Sequence, residues 1–108
     1  MSAKILFWIF TAIGAGLEIV GDVFFKKWAI ENRPILMCGG FIIYSIGALF
    51  WAYSLKYEML SKAISIFTIL NLVIVALIGI IFFKENISMV AKLGIVLGII
   101  SIVLIERG

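Results

Sequence analysis

Two carboxylates, Glu18 and Asp22, stand four residues apart in an otherwise apolar stretch, Leu17-Glu18-Ile19-Val20-Gly21-Asp22-Val23-Phe24-Phe25, and Lys26 follows one turn later. On a helix, side chains at i, i+4 and i+8 project from nearly one face. Such a line can bind a cation, bind and release a proton, or do both in competition. Asp22 and Lys26 also stand in the acid-first order that favours a simple ion pair, so a purely structural role for Asp22 stays open. For Glu18 the structural alternative is an acid neutralised by a hydrogen bond to another helix.

The surroundings make Glu18 expensive. Ile5–Phe25 gives about 21 residues between Lys4 and Lys26, enough helix to cross a hydrocarbon layer of roughly 30 Å. At about 1.5 Å per residue, Glu18 lies roughly 20 Å from the Lys4 end and roughly 10 Å from the Lys26 end. An acid at that depth costs about 2.5–3.5 kcal/mol on insertion scales. A helix carries it when it faces a partner or a water-filled cavity, so Glu18 is the expected functional centre. Gly14 and Gly21 share its side and would admit a second backbone or a ligand.

The elements that must position these residues follow from composition. The chain has 108 residues, 65% of them hydrophobic, with no histidine, and its mean hydropathy is +1.28. Ordinary globular domains are only about 45–50% apolar. The expectation is an all-α integral membrane protein, one membrane domain over 1–108, with four spans at about 5–25, 35–55, 63–83 and 87–105. No cleavable signal peptide is evident, because the first apolar run is too long. Span four is the weakest, since Lys92 must snorkel to the surface. Connections of a few residues make consecutive helices antiparallel neighbours in a four-helix bundle. Trp28, Trp51, Tyr53 and Tyr57 fall near span ends, as interfacial aromatics do. The nine basic residues lie at span ends and loops, so they read as membrane anchors and not as a nucleic-acid surface.

The later spans offer fewer polar groups. Span two sets Gly40, Tyr44, Gly47, Trp51 and Ser54 on one stripe. Such a stripe usually marks a packing face, and a buried Tyr44 hydroxyl would want a partner, for which a carboxylate in span one would serve. Asn71 falls near mid-membrane in span three, where it needs a hydrogen-bond partner, either in another helix or in a substrate path. Span four carries Gly94-Ile-Val-Leu-Gly98, a G-x-x-x-G, and Ser101, with no ionisable residue deep inside. It reads as a dimerisation helix.

Enzyme signals are missing: no histidine, one cysteine (Cys38), no phosphate-binding glycine loop and no serine-nucleophile motif. The chain is expected to be no enzyme and to need no metal or cofactor. Its remaining chemistry is proton and cation binding at carboxylates. Charge also bears on orientation. Lys4, Lys56, Lys62 and Arg107 fall on one side, and Lys26, Lys27, Arg33, Lys84 and Lys92 on the other. Four against five is almost no positive-inside bias, so insertion in both orientations is expected.

With these residues in view, the chain resembles the small multidrug resistance family, within the drug/metabolite transporter superfamily, over nearly its whole length. The likeness is most specific at Leu17-Glu18-Ile19-Val20-Gly21 with Lys26 after it. It implies an antiparallel homodimer in the cell's inner (plasma) membrane, crossing it several times. It also implies that Glu18 binds substrate and protons in competition, that Trp8 and Tyr44 line the site, and that Gly94 and Ser101 lie on the dimer contact. The chain departs from the drug-exporting pattern in span three, where Ile64 and Phe67 replace a tyrosine and a tryptophan, and Ile69 and Asn71 a glycine pair. Leu60-Ser61-Lys62-Ala63, Asn71 and Lys84-Glu85-Asn86 look closer to the superfamily's flippase subunits for aminoarabinose-linked polyprenyl phosphate.

The leading expectation is therefore a proton-coupled antiporter that exports small organic or polyamine-like cations by alternating access. Glu18 and Asp22 are its expected binding acids, and Tyr44, Trp8, Phe67 and Asn71 line the site. Gly94, Gly98 and Ser101 hold the dimer. The partners expected are the cation, protons, the bilayer and a second copy, with no nucleic acid. Two alternatives are a flippase-type subunit for a lipid-linked amino sugar and a small membrane protein that modulates a larger complex.

Overall fold

A computed structural model describes residues 2–108. Four helices account for nearly all of them: α1 (Ala3–Glu31), α2 (Pro34–Ser54), α3 (Leu60–Ile81) and α4 (Met89–Arg107). Each is long and apolar enough to cross a membrane. The chain divides into two compact units, α1 with α2 and α3 with α4, parted at Met59 and Leu60.

The first hairpin is set by its caps. Ser2 opens α1 by accepting a hydrogen bond from the Ile5 amide at 3.3 Å. Asn32 closes it in the left-handed region at φ 56°, where asparagine is tolerated, and its amide donates to the Trp28 carbonyl at 2.7 Å. Arg33 is extended, as the residue before a proline must be, and Pro34 starts α2 where its missing amide costs nothing. The turn is thus only Asn32 and Arg33, and α1 runs on past Lys26 and Lys27. At 29 residues it is about 43 Å long, more than the hydrocarbon layer needs, so its last turns carry Lys26, Lys27 and Trp28 into the interface.

In the second unit, α3 stops at Ile81, two residues before the end of the apolar run. Lys84 takes a left-handed φ of 53°, and the Glu85 amide reaches back to the Gly79 carbonyl at 3.0 Å. Ser88 caps α4 by accepting from the Ala91 amide, so the helix starts at Met89 and not at Ile87. Lys92 then lies in its first turn, close to the interface, and is exposed. Nothing on α4 is buried.

Large apolar side chains lie outward along all four helices: Ile35, Phe41, Leu49, Val90 and Leu104, for example, are more than half exposed. Apolar surface on that scale is unstable in water and at home in lipid tails.

Candidate functional site

The α1–α2 seam is built from small residues one heptad apart, Gly14 and Gly21 against Gly47 and Gly40. A Cβ on Gly14 would lie 3.0 Å from the Trp51 amide nitrogen and 3.1 Å from the Gly47 carbonyl oxygen. A Cβ on Gly21 would lie 3.0 Å from the Gly40 carbonyl oxygen and 3.0 Å from the Tyr44 Cβ. The backbones approach so closely only because neither helix has a side chain at the crossings.

That approach places the acid. Glu18 lies between the two glycine contacts, is 6% exposed, and sets its Cγ directly over Gly47, 2.9 Å from where a Cβ would stand. The Tyr44 hydroxyl, one turn earlier on α2, faces the Glu18 carboxylate and is the group placed to donate to it. This is the partner that a buried tyrosine hydroxyl requires, supplied by the first span. Asp22, one turn along α1, is half-buried. Phe25 packs against the far side of Tyr44, with ring centroids 6.0 Å apart. The result is a carboxylate held against bare backbone, with one hydroxyl donor and a second acid a turn away. Such a group can take a proton or hold a cation without rearranging its helix.

Trp8 is half-buried on the same helix, edge-on to Phe7 at 5.7 Å. Phe67 and Asn71 belong to the second unit, one turn apart on α3. Phe67 is buried, and the Asn71 Oδ1 is buried without a hydrogen-bond partner. Of the expected dimer residues, Gly94 is exposed with open space where a Cβ would be, and Gly98 faces Ile69 at 3.4 Å. The Ser101 hydroxyl is spent on the Leu97 carbonyl of its own helix at 2.9 Å.

Three features escape a reading of the sequence. Gly47 is the floor beneath Glu18, whereas its spacing says only that it faces a helix. Thr11, seven residues before Glu18 on the same face, is fully buried with no partner for its hydroxyl. Finally, Phe10 is stacked on Tyr53 and Tyr57 at 5.9 and 5.8 Å, and lies 6.3 Å from Phe50. The i, i+3, i+7 spacing of Phe50, Tyr53 and Tyr57 signals a shared face, but not that Phe10 covers it.

Four spanning helices with an ionisable group buried in the first define a polytopic membrane protein, and a comparison with known families carries this further. A family model, that of the EamA-like transporter family, matches residues 2–107. The chain belongs to this family, part of the drug/metabolite transporter superfamily, and so to membrane transporters and not to enzymes. Neither the curated proteins nor the solved structures include a significant match.

Proposed function

We propose that the protein is a proton-coupled antiporter of the small multidrug resistance type. It exports small organic or polyamine-like cations by alternating access, with Glu18 as the shared proton and substrate site. The observation that carries this reading is Glu18 itself: 6% exposed, seated over Gly47 and beside the Tyr44 hydroxyl, deep in a spanning helix. A buried acid in hydrocarbon is costly, and transporters keep such groups for the ion they move. Cation and protons compete for the carboxylate, and that competition is the coupling. Asp22, one turn away, favours substrates with two separated positive charges.

The working unit is an antiparallel homodimer in the inner membrane, with α4 clasping through Gly94, Gly98 and Ser101. The unburied α4, the open space at Gly94 and the near-absence of charge bias support it. An antiparallel pair is itself an inverted repeat, which makes its inward and outward states symmetry-equivalent.

The deciding experiment is uptake of a labelled diamine into proteoliposomes under a pH gradient. The wild type concentrates the substrate and Glu18→Gln does not. Full gradient-driven uptake by Glu18→Gln sinks the proposal. A second reading, a flippase-type subunit for a lipid-linked amino sugar, draws on the buried and unpartnered Asn71 Oδ1, a group able to read a sugar hydroxyl. Cross-linking to a polyprenyl-phosphate probe, lost in Asn71→Leu, would favour it.

A further inference from the structure

The longer arm of α1, from Glu18 to Lys4, holds a polar group that the transport reading leaves without a task. A coupling acid that works by alternating access exchanges protons with both membrane faces. Toward Lys26 the route is roughly 10 Å, and Asp22 stands on it one turn from Glu18. Toward Lys4 it is roughly 20 Å. A proton relay must accept a hydrogen bond and donate one. Among residues 5–17 only the Thr11 side chain does both, since the Trp8 indole donates alone.

Thr11 is also placed for that task. It shares the face of Glu18, seven residues nearer Lys4, and so divides the long route into two steps of roughly 10 Å. On that face Gly14 and Ala15 stand between the two, a hydrogen and a methyl group. No large side chain of α1 therefore blocks the step, which is about three hydrogen-bond lengths. Thr11 is fully buried, and its hydroxyl has no partner within the chain. A buried hydroxyl in that position costs stability, and valine would fill the same space without the cost. One turn nearer Lys4, the Phe7 ring is 1% exposed and edge-on to Trp8 at 5.7 Å. This aromatic pair separates Thr11 from the Lys4 face, so the hydroxyl meets water when α1 opens on that side.

We propose that the Thr11 hydroxyl relays protons between Glu18 and the membrane face at the Lys4 end of α1. Water on either side of Thr11 completes the line. The hydroxyl oxygen accepts a proton from one water and releases its own to the next. One proton moves on, and the threonine is left unchanged. The inference rests on Glu18 being the coupling acid, and it adds the residue that connects this acid to its more distant face.

Two assays on the full-length protein in proteoliposomes separate a relay from a packing residue. Uptake of a labelled diamine driven by a pH gradient needs net proton movement. Exchange of labelled for unlabelled diamine, at equal pH on both faces, does not. Thr11→Val keeps the shape and should slow driven uptake about 10-fold, the scale of one hydrogen bond to a migrating charge. It should leave exchange at the wild-type rate. Thr11→Ser keeps the hydroxyl and should restore driven uptake. Equal losses in both assays would mean a packing or gating role and overturn the proposal. Wild-type driven uptake by Thr11→Val, or a Thr11→Ser variant as slow as Thr11→Val, overturns it as well. Glu18→Gln, measured alongside, tells the two readings apart. Full driven uptake by Glu18→Gln removes both, whereas an inactive Glu18→Gln beside a fully active Thr11→Val removes the relay alone.

Discussion

Substituting alanine for Gly47 tests the seam and the site together. The added Cβ would stand 2.9 Å from the Glu18 Cγ, 2.9 Å from the Gly14 carbonyl oxygen and 3.0 Å from the Glu18 amide nitrogen. Ordinary contacts begin near 3.4 Å, so α1 must retreat by about 0.5 Å. No rotamer change relieves this, because two of the three atoms are backbone. Overpacking of this kind costs about 1–3 kcal/mol. Alanine also gains about 0.8–1.0 kcal/mol of helix propensity over glycine, which masks part of the cost. Gly16→Ala is the internal reference, since a Cβ there meets nothing within 4 Å and brings the propensity gain alone. Gly47→Ala should therefore be less stable than Gly16→Ala by about 1–3 kcal/mol. Reversible unfolding in mixed SDS and mild-detergent micelles, followed by circular dichroism, measures that difference. Equal stability of the two variants, within about 0.5 kcal/mol, would refute the close approach and the placement of Glu18 over Gly47 that depends on it.

Three further outcomes follow from the same geometry. Thr11→Val removes a buried hydroxyl without a partner and keeps the shape, so it should be neutral or stabilising by about 1 kcal/mol in the same assay; a loss of that size would mean that the hydroxyl is satisfied by water or by a ligand. Asp22→Asn should weaken competition by divalent organic cations more than by monovalent ones in substrate-displacement measurements. Parallel losses for both, or none, would leave Asp22 a structural residue. A cysteine tag after Gly108 should be labelled from both membrane faces in intact vesicles, and labelling from one face only would exclude the antiparallel dimer.

Much of this protein is written in composition. Transfer of a side chain between water and hydrocarbon depends on the side chain and little on its neighbours. The four spans, and the oddity of Glu18 within the first, were therefore legible without coordinates. Turn and capping residues act over three or four positions, so the short break between spans one and two was legible as well, although the length of the turn was not. The small-residue stripe on span two could be seen as a packing face, since helical period alone assigns it. What a face packs against is a different kind of question. Only the tertiary structure set Gly47 under Glu18, matched Gly14 and Gly21 to Gly47 and Gly40, gave the Tyr44 hydroxyl its carboxylate and buried Thr11 without a partner. It also turned Glu85 back onto Gly79, through a left-handed residue at Lys84 that no apolar pattern announces. These are decisions of register between chain segments far apart in sequence. Sliding one helix along another by a turn preserves every periodicity in the sequence and changes every contact, so only the packed backbones can choose among the registers.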